Sequence, residues 1–289
     1  HLLSFKGTDS IPSLLYARDF YTGGEEYFIG ASIPATEHSV MCMGEHEHEI
    51  ETFRRLIADI YPQGFVSIVS DTWDYWRVIT EYTRELKSLI LGREGRVVFR
   101  PDSGDPVEIL CGTGADDDTR ADRSPEEKGS VEVLWEIFGG TVNEKGYKVL
   151  DPHVGLIYGD SITLARANQI LARLEAKGFA SSNVVFGVGS FTYQYNTRDT
   201  FGFAMKATWG AVNGEGRMIF KEPKTDNGLK RSARGLLRVE RDAQGELQLH
   251  DEQSWEQEQG GELKTRFLDG KLYDTEHFET IRQRLANQR

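Results

Sequence analysis

The densest chemistry in the chain lies in Arg100-Pro101-Asp102-Ser103-Gly104-Asp105-Pro106. A guanidinium offers a planar fork suited to a phosphate or an aromatic face. Asp102 can hold ribose hydroxyls or a metal, and Ser103-Gly104 leaves backbone N–H groups open to an anion. A tight turn whose arginine pairs with neighbouring carboxylates would use the same residues. Gly187-Val188-Gly189-Ser190 permits close backbone approach to phosphate oxygens, as a simple strand-to-helix turn also does. His38, within Pro34-Ala35-Thr36-Glu37-His38-Ser39, sits next to a carboxylate that can tune it, a setting shared by catalytic and structural histidines. Glu45-His46-Glu47-His48-Glu49 has the look of a metal motif. On a helix, however, i and i+2 do not share a face, and zinc wants i, i+4. It reads as an exposed, charged helix start. Between residues 198 and 238 nine basic side chains, among them Arg198, Lys206 and Lys221, stand against four acidic ones, a local balance of +5. That segment reads either as a polyphosphate-binding patch or as a solvated face, and its contrast with the rest of the chain favours the patch.

These clusters follow short apolar runs. Phe65–Ser70 leads into Asp71, Arg96–Phe99 into the Arg100 cluster, Val154–Tyr158 into Gly159-Asp160, and Asn183–Phe186 into Gly187. Short β-branched runs of this kind predict buried parallel strands. Between them, Phe53, Leu56, Ile57 and Ile60 keep helical spacing, as do Ala167, Ile170, Leu171 and Leu174 behind Asp160 or Ser161 as a cap, with Lys177-Gly178 as the stop. Weaker helices are expected over Trp76–Leu91 and Val131–Phe138. Strand–helix alternation gives an α/β fold with a parallel sheet, open or closed, that binds ligands at the C-terminal strand ends, where all four polar clusters fall. After about Asp199 the alternation fades into antiparallel strands near 235–239 and 246–250 and a final helix from about Thr275. The expected division is an α/β domain over 1–198 and an α+β segment over 199–289. Residues 112–129, with Asp116, Asp117 and Asp118 in a row, read as a solvated surface insertion.

Composition sets limits on these readings. The 289 residues are 38% hydrophobic and 11% aromatic, enough for a real core. A formal net charge of −12 argues against a general nucleic-acid partner. No apolar run is long enough to span a bilayer. Two cysteines, Cys42 and Cys111, point to a reducing compartment, the cytoplasm. The chain opens on His1-Leu2-Leu3-Ser4-Phe5 with no initiator Met and no signal-peptide layout, and reads as the middle of a domain.

Five motifs, in order, resemble the nicotinamide phosphoribosyltransferases, which are type II phosphoribosyltransferases. They are Phe5-Lys6-Gly7-Thr8-Asp9, Ser32–Ser39, Val69-Ser70-Asp71, Arg100–Gly104, and Gly159-Asp160 followed by Thr197-Arg198-Asp199. The resemblance covers essentially the whole chain. It implies an irregular α/β barrel with a partial second domain, and transfer of a phosphoribosyl group from phosphoribosyl pyrophosphate to nicotinamide. It also implies that a long N-terminal part precedes the Phe5 motif in such enzymes, so that this chain reads as a C-terminal portion.

Roles follow from the resemblance position by position. Asp9 matches the carboxylate that accepts the nicotinamide amide, with Ser32 and Ser67 in the substrate site and Arg100 flanking the ring. Asp71 and Asp102 orient base and ribose. Gly159, Asp160, Gly189 and Ser190 hold ribose and 5′-phosphate, and Arg198, Lys206 and Lys221 hold pyrophosphate. His38 matches a histidine that is phosphorylated when ATP hydrolysis is coupled to synthesis. Mg²⁺ and a homodimer with shared sites are implied as well. The chain departs from the better-known animal members at Gly189-Ser190-Phe191, where they carry a run of glycines, and in extra residues between Cys111 and Val131. A nicotinate-specific relative, or a binder of the same fold without turnover, is the alternative.

Overall fold

The structure is a computed structural model that describes residues 2, 5–21, 28–114, 120, 122–189, 200, 205–221, 232–274, 276, 280, 283–284 and 286–287. Two compact units divide the chain: His1–Lys206 with Lys221–Arg231, and Ala207–Phe220 with Ser232–Arg289.

The first unit carries strands β1 (Gln63–Val69), β2 (Glu94–Arg100), β3 (Gly140–Val142), β4 (Lys148–Leu150), β5 (Val154–Tyr158) and β6 (Val184–Phe186). β1, β2, β5 and β6 form one parallel sheet in that order, with β3 and β4 a separate antiparallel hairpin. The four parallel strands are the four apolar runs read from the sequence. Val66, Ile68, Val69, Val97, Phe99, Val154, Leu156 and Tyr158 are buried, as strands covered on both faces require. Beyond β1 the extended segment 34–36 adds to the sheet edge. Ala35 bridges Ser67 in parallel, the Ser67 N–H donates to the Pro34 carbonyl and the Thr36 N–H to the Ser67 carbonyl. This pairing brings the His38 segment alongside the C-terminal end of β1.

Helices cover the sheet where the helical spacing predicts them. Glu49–Arg55 runs on as a π-turn through Ile60 and buries Phe53, Leu56 and Ile57. Ser130–Phe138 buries Val131, Val133, Leu134, Ile137 and Phe138. Leu164–Ala176 buries Ile170 and Leu174, and Gly178, at φ +73°, ends it. Its cap is neither Asp160 nor Ser161 but Thr163, whose hydroxyl accepts from the Arg166 N–H. Ser161 lies in the left-handed region at φ +57°, so the chain turns once more before the helix starts.

The Glu45–Glu49 segment departs from the reading of an exposed helix start. Its first residues are exposed, but Glu49 is buried, because the helix rotates it onto the face that carries Phe53. The described part of the 112–129 insertion includes a helix, Pro125–Lys128, with a Ser124–Glu127 capping box. Lys177 Nζ anchors its base by donating to the carbonyls of Cys111 and Lys128 and to Glu132.

The second unit contains antiparallel pairs, β7 (Trp209–Val212) with β8 (Glu215–Met218) and β9 (Leu236–Arg241) with β10 (Leu247–Gln253). The helix expected from about Thr275 falls largely outside the described residues. No helix among the described residues is long and apolar enough to cross a membrane.

Candidate active site

The C-terminal ends of β1 and β2 are stitched together where their polar clusters begin. The Ser70 N–H donates to the Arg100 carbonyl at 3.0 Å, so Asp71 and Asp102–Ser103 emerge side by side. Ser70, Asp71, Thr72 and Ser103 are all buried. Asp71 is held on both oxygens. His38 Nε2 lies 3.0 Å from Oδ1, and the Ser103 hydroxyl donates to Oδ2 at 2.5 Å. Burial by itself would raise the Asp71 carboxyl, but the bonds from His38 and Ser103 and the positive charge of Lys221 outweigh it and hold the group below the usual carboxylate range. An ionised carboxylate only accepts, so the proton in the His38 contact sits on Nε2, and Nδ1 is the ring nitrogen that faces away from Asp71.

Arg100 leans over the same site. Its Nη2 donates to the Thr36 carbonyl at 2.6 Å and to Glu37 Oε1 at 3.3 Å, and Nη1 lies 3.9 Å from Asp102 Oδ1. The guanidinium thus pairs locally, as in the tight-turn reading, while its buried Nε has no partner among the described residues. The Ser67 hydroxyl, four residues before Asp71, is also buried without a partner among the described residues, as is that of Thr72. A pairing of Thr8 with Ala31 draws the Phe5–Asp9 motif onto the Ser32 motif, and the Ser32 hydroxyl donates to Asp9 Oδ1 at 3.2 Å. Both residues are exposed.

At the ends of β5 and β6, Gly159 and Gly187 pack backbone to backbone. A Cβ on Gly187 would stand 2.6 Å from Gly159 Cα, which only glycine permits. Tyr158, fully buried, donates from its hydroxyl to the Gly104 carbonyl at 2.9 Å and links this side of the sheet to the turn after β2. Asp160 is half-buried, and Gly189 and Lys206 are exposed. Ser190 and Arg198 lie outside the described residues.

The structure therefore joins His38 to Asp71, Arg100 to Asp102, and Asp9 to Ser32, and it brings the charge of Lys221 to bear on Asp71. Ser103 enters through its side chain rather than the backbone N–H expected of it. Thr36, Tyr158 and Glu49 carry no signal in the spacing of the motifs. Thr36 meets Val69 33 positions away, Tyr158 meets Gly104 54 positions away, and Glu49 meets Tyr82 on a separate helix. Among the described residues no three His, Cys, Asp or Glu gather to hold a metal ion.

A family model described as the nicotinate phosphoribosyltransferase (NAPRTase) family matches residues 1–271. The chain belongs to that family. Curated relatives of the chain are named nicotinamide phosphoribosyltransferase. One from Acinetobacter baylyi is 59% identical across 100% of this chain and 57% of its own length. One from Mycoplasma pneumoniae is 40% identical across 78% of this chain and 51% of its own, and one from Xanthomonas campestris pv. campestris is 38% identical across 84% and 47%. The chain thus spans about half the length of the curated relatives it matches.

Proposed function

We propose that this chain carries the active site of a nicotinamide phosphoribosyltransferase. The nicotinamide ring nitrogen bonds to the anomeric carbon of phosphoribosyl pyrophosphate, the bond from that carbon to the pyrophosphate oxygen breaks, and nicotinamide mononucleotide and pyrophosphate leave. The observation that carries the reading is the Asp9–Ser32 pair. An exposed carboxylate already oriented by a hydroxyl accepts an amide N–H and repels the carboxylate of nicotinate. The name of the relatives, nicotinamide phosphoribosyltransferase, supports the same choice.

In this reading the Ser67 hydroxyl, unpartnered among the described residues, and the Nε of Arg100 complete the base pocket. Asp71 and Asp102 orient base and ribose. Gly159, Asp160, Gly189 and Ser190 take ribose and 5′-phosphate, and Arg198, Lys206 and Lys221 take pyrophosphate. The transition state has oxocarbenium character with a departing pyrophosphate polyanion, so fixed charge at both ends lowers the barrier. Mg²⁺ fits as an ion held through one carboxylate and the substrate's phosphate oxygens, because it keeps waters and does not need a protein cage. Asp102, with a partly exposed carboxylate, is the group placed to share it. It would supply charge neutralisation at the leaving group. His38 accepts a phosphoryl group from ATP at Nδ1, the nitrogen not spent on Asp71, and ADP departs.

The reading extends to the architecture. Four parallel strands in chain order, with no reversal, are the arrangement of a barrel wall, and we take the whole enzyme to close into an irregular α/β barrel. The tail from residue 199 belongs with a second α+β domain, the enzyme works as a homodimer with shared sites, and it resides in the cytoplasm.

The test is formation of nicotinamide mononucleotide by the full-length protein from nicotinamide and phosphoribosyl pyrophosphate, with nicotinate as the competing arm. Preferred turnover of nicotinate would overturn the substrate assignment, and turnover of neither would leave a binder. Asp9→Asn is expected to raise the KM for nicotinamide about tenfold, the worth of one charge-assisted hydrogen bond. His38→Ala is expected to abolish stimulation by ATP. An unchanged response to ATP would remove the phosphoryl-transfer role.

A further inference from the structure

The turn after β2 is held from two sides by buried hydroxyls that the proposed chemistry does not use. On one side the Tyr158 phenol, from the last residue of β5, donates to the Gly104 carbonyl at 2.9 Å. On the other, the neighbouring Ser103, itself 1% exposed, donates to Asp71 Oδ2 at 2.5 Å. Asp71 in turn meets His38 on its other oxygen. Tyr158, Gly104, Ser103, Asp71 and His38 form a continuous run of contacts from the end of β5 to the imidazole.

We propose that Ser103 and Tyr158 are positioning residues, Tyr158 seating the turn and Ser103 using it to fix the Asp71 carboxylate so that His38 is held as a single tautomer with its proton on Nε2. The physical argument is one of rotation. A carboxylate with one bonded oxygen turns about its Cβ–Cγ bond at little cost, since that terminal torsion is broad. Pinning Oδ2 removes this freedom and keeps the Oδ1 lone pair aimed at Nε2. Orienters that touch an acid rather than the reacting atoms commonly set the tautomer of the ring beyond it. Tyr158 suits the strut because its ring is packed out of solvent and its hydroxyl meets an exposed turn, so the hydroxyl positions the turn without supporting the core. The link also couples the strand end bearing Gly159-Asp160 to the histidine, so that filling the ribose side of the site bears on His38.

This inference rests on the phosphoribosyltransferase reading only for its catalytic consequence, and the test separates the two. Imidazole ¹⁵N spectra of the full-length protein at neutral pH are expected to show His38 as one tautomer, protonated at Nε2. Ser103→Ala is expected to give a tautomer mixture, Ser103→Thr to restore the single form, and Tyr158→Phe to fall between. In assays, Ser103→Ala is expected to lower the ATP-stimulated rate about tenfold, with the KM for nicotinamide changed less than about twofold. A wild-type mixture of tautomers, an unchanged His38 spectrum in Ser103→Ala, or a failure of Ser103→Thr to restore it would overturn the proposal. The expected spectra in a protein that does not form nicotinamide mononucleotide would support the positioning and overturn the functional reading alone.

Discussion

Glu49 shows how much one residue can change in meaning between sequence and structure. In the run Glu45–Glu49 it is one more acid in a hydrophilic stretch, yet it is 2% exposed, bonded by the Tyr82 hydroxyl, with Oε1 lacking a partner among the described residues. Desolvation pushes its carboxyl up to about 8. Tyr82 and Arg77 work against that shift, and Asp74 and Asp71 add to it. The unfolded chain would release this proton near 4.5, whereas the folded chain retains it to about 8. The contribution of Glu49 to stability is therefore full below about pH 4.5 and is lost as the pH rises toward and through 8. Glu49→Gln keeps the shape without the charge. It is expected to flatten the pH dependence of the denaturation midpoint over that window and to stabilise the protein at pH 8 by on the order of 1–3 kcal/mol. A variant that kept the parental slope would show that Glu49 is ionised in the fold.

At the scale of the element, the four parallel strands and the helices between them were legible because their signals are local. A run such as Val154–Tyr158 is apolar throughout because both of its faces are covered, and Ile170 and Leu174 repeat at helical spacing because one face is. The cap at Thr163 was not legible, since Asp160 and Ser161 are equally good caps by type and only the left-handed turn at Ser161 decides among them. The site divides in the same way. Its motifs stand out as polar clusters at strand ends, but the Ser103–Asp71 bond spans 32 positions and depends on the register of β1 against β2. Gly187 reads from the sequence as a place where backbone nears a phosphate or as a simple strand-to-helix turn, and here it is where two strand ends near each other. Gly187→Ala is expected to cost about 1–3 kcal/mol, as overpacking does, because the atom it would meet is the Gly159 backbone, which cannot swing aside. It is also expected to raise the KM for phosphoribosyl pyrophosphate more than that for nicotinamide, since the ends of β5 and β6 must part. A denaturation midpoint and KM values like the parent's would show that the strand ends yield freely.

At the scale of the molecule, a net charge of −12 repels the polyanion that the proposed reaction consumes, and the basic segment around Lys221 has to reverse that field locally. Lys221 is already felt by Asp71, so its charge reaches the site. Long-range repulsion and local attraction are both screened by salt, but they differ in reach. The Debye length is about 10 Å at 0.1 M and about 3 Å at 1 M, so added salt removes the distant repulsion early and erodes the close attraction later. Nicotinamide is neutral and feels neither. Raising the ionic strength is therefore expected to leave the KM for nicotinamide within about twofold while the KM for phosphoribosyl pyrophosphate rises severalfold toward 1 M. Lys221→Ala is expected to raise the latter KM at low salt and to flatten its rise. If the two substrates responded alike to salt in the parent, or if Lys221→Ala left the salt dependence of phosphoribosyl pyrophosphate unaltered, the basic segment would be a solvated face and the pyrophosphate would have to be held elsewhere.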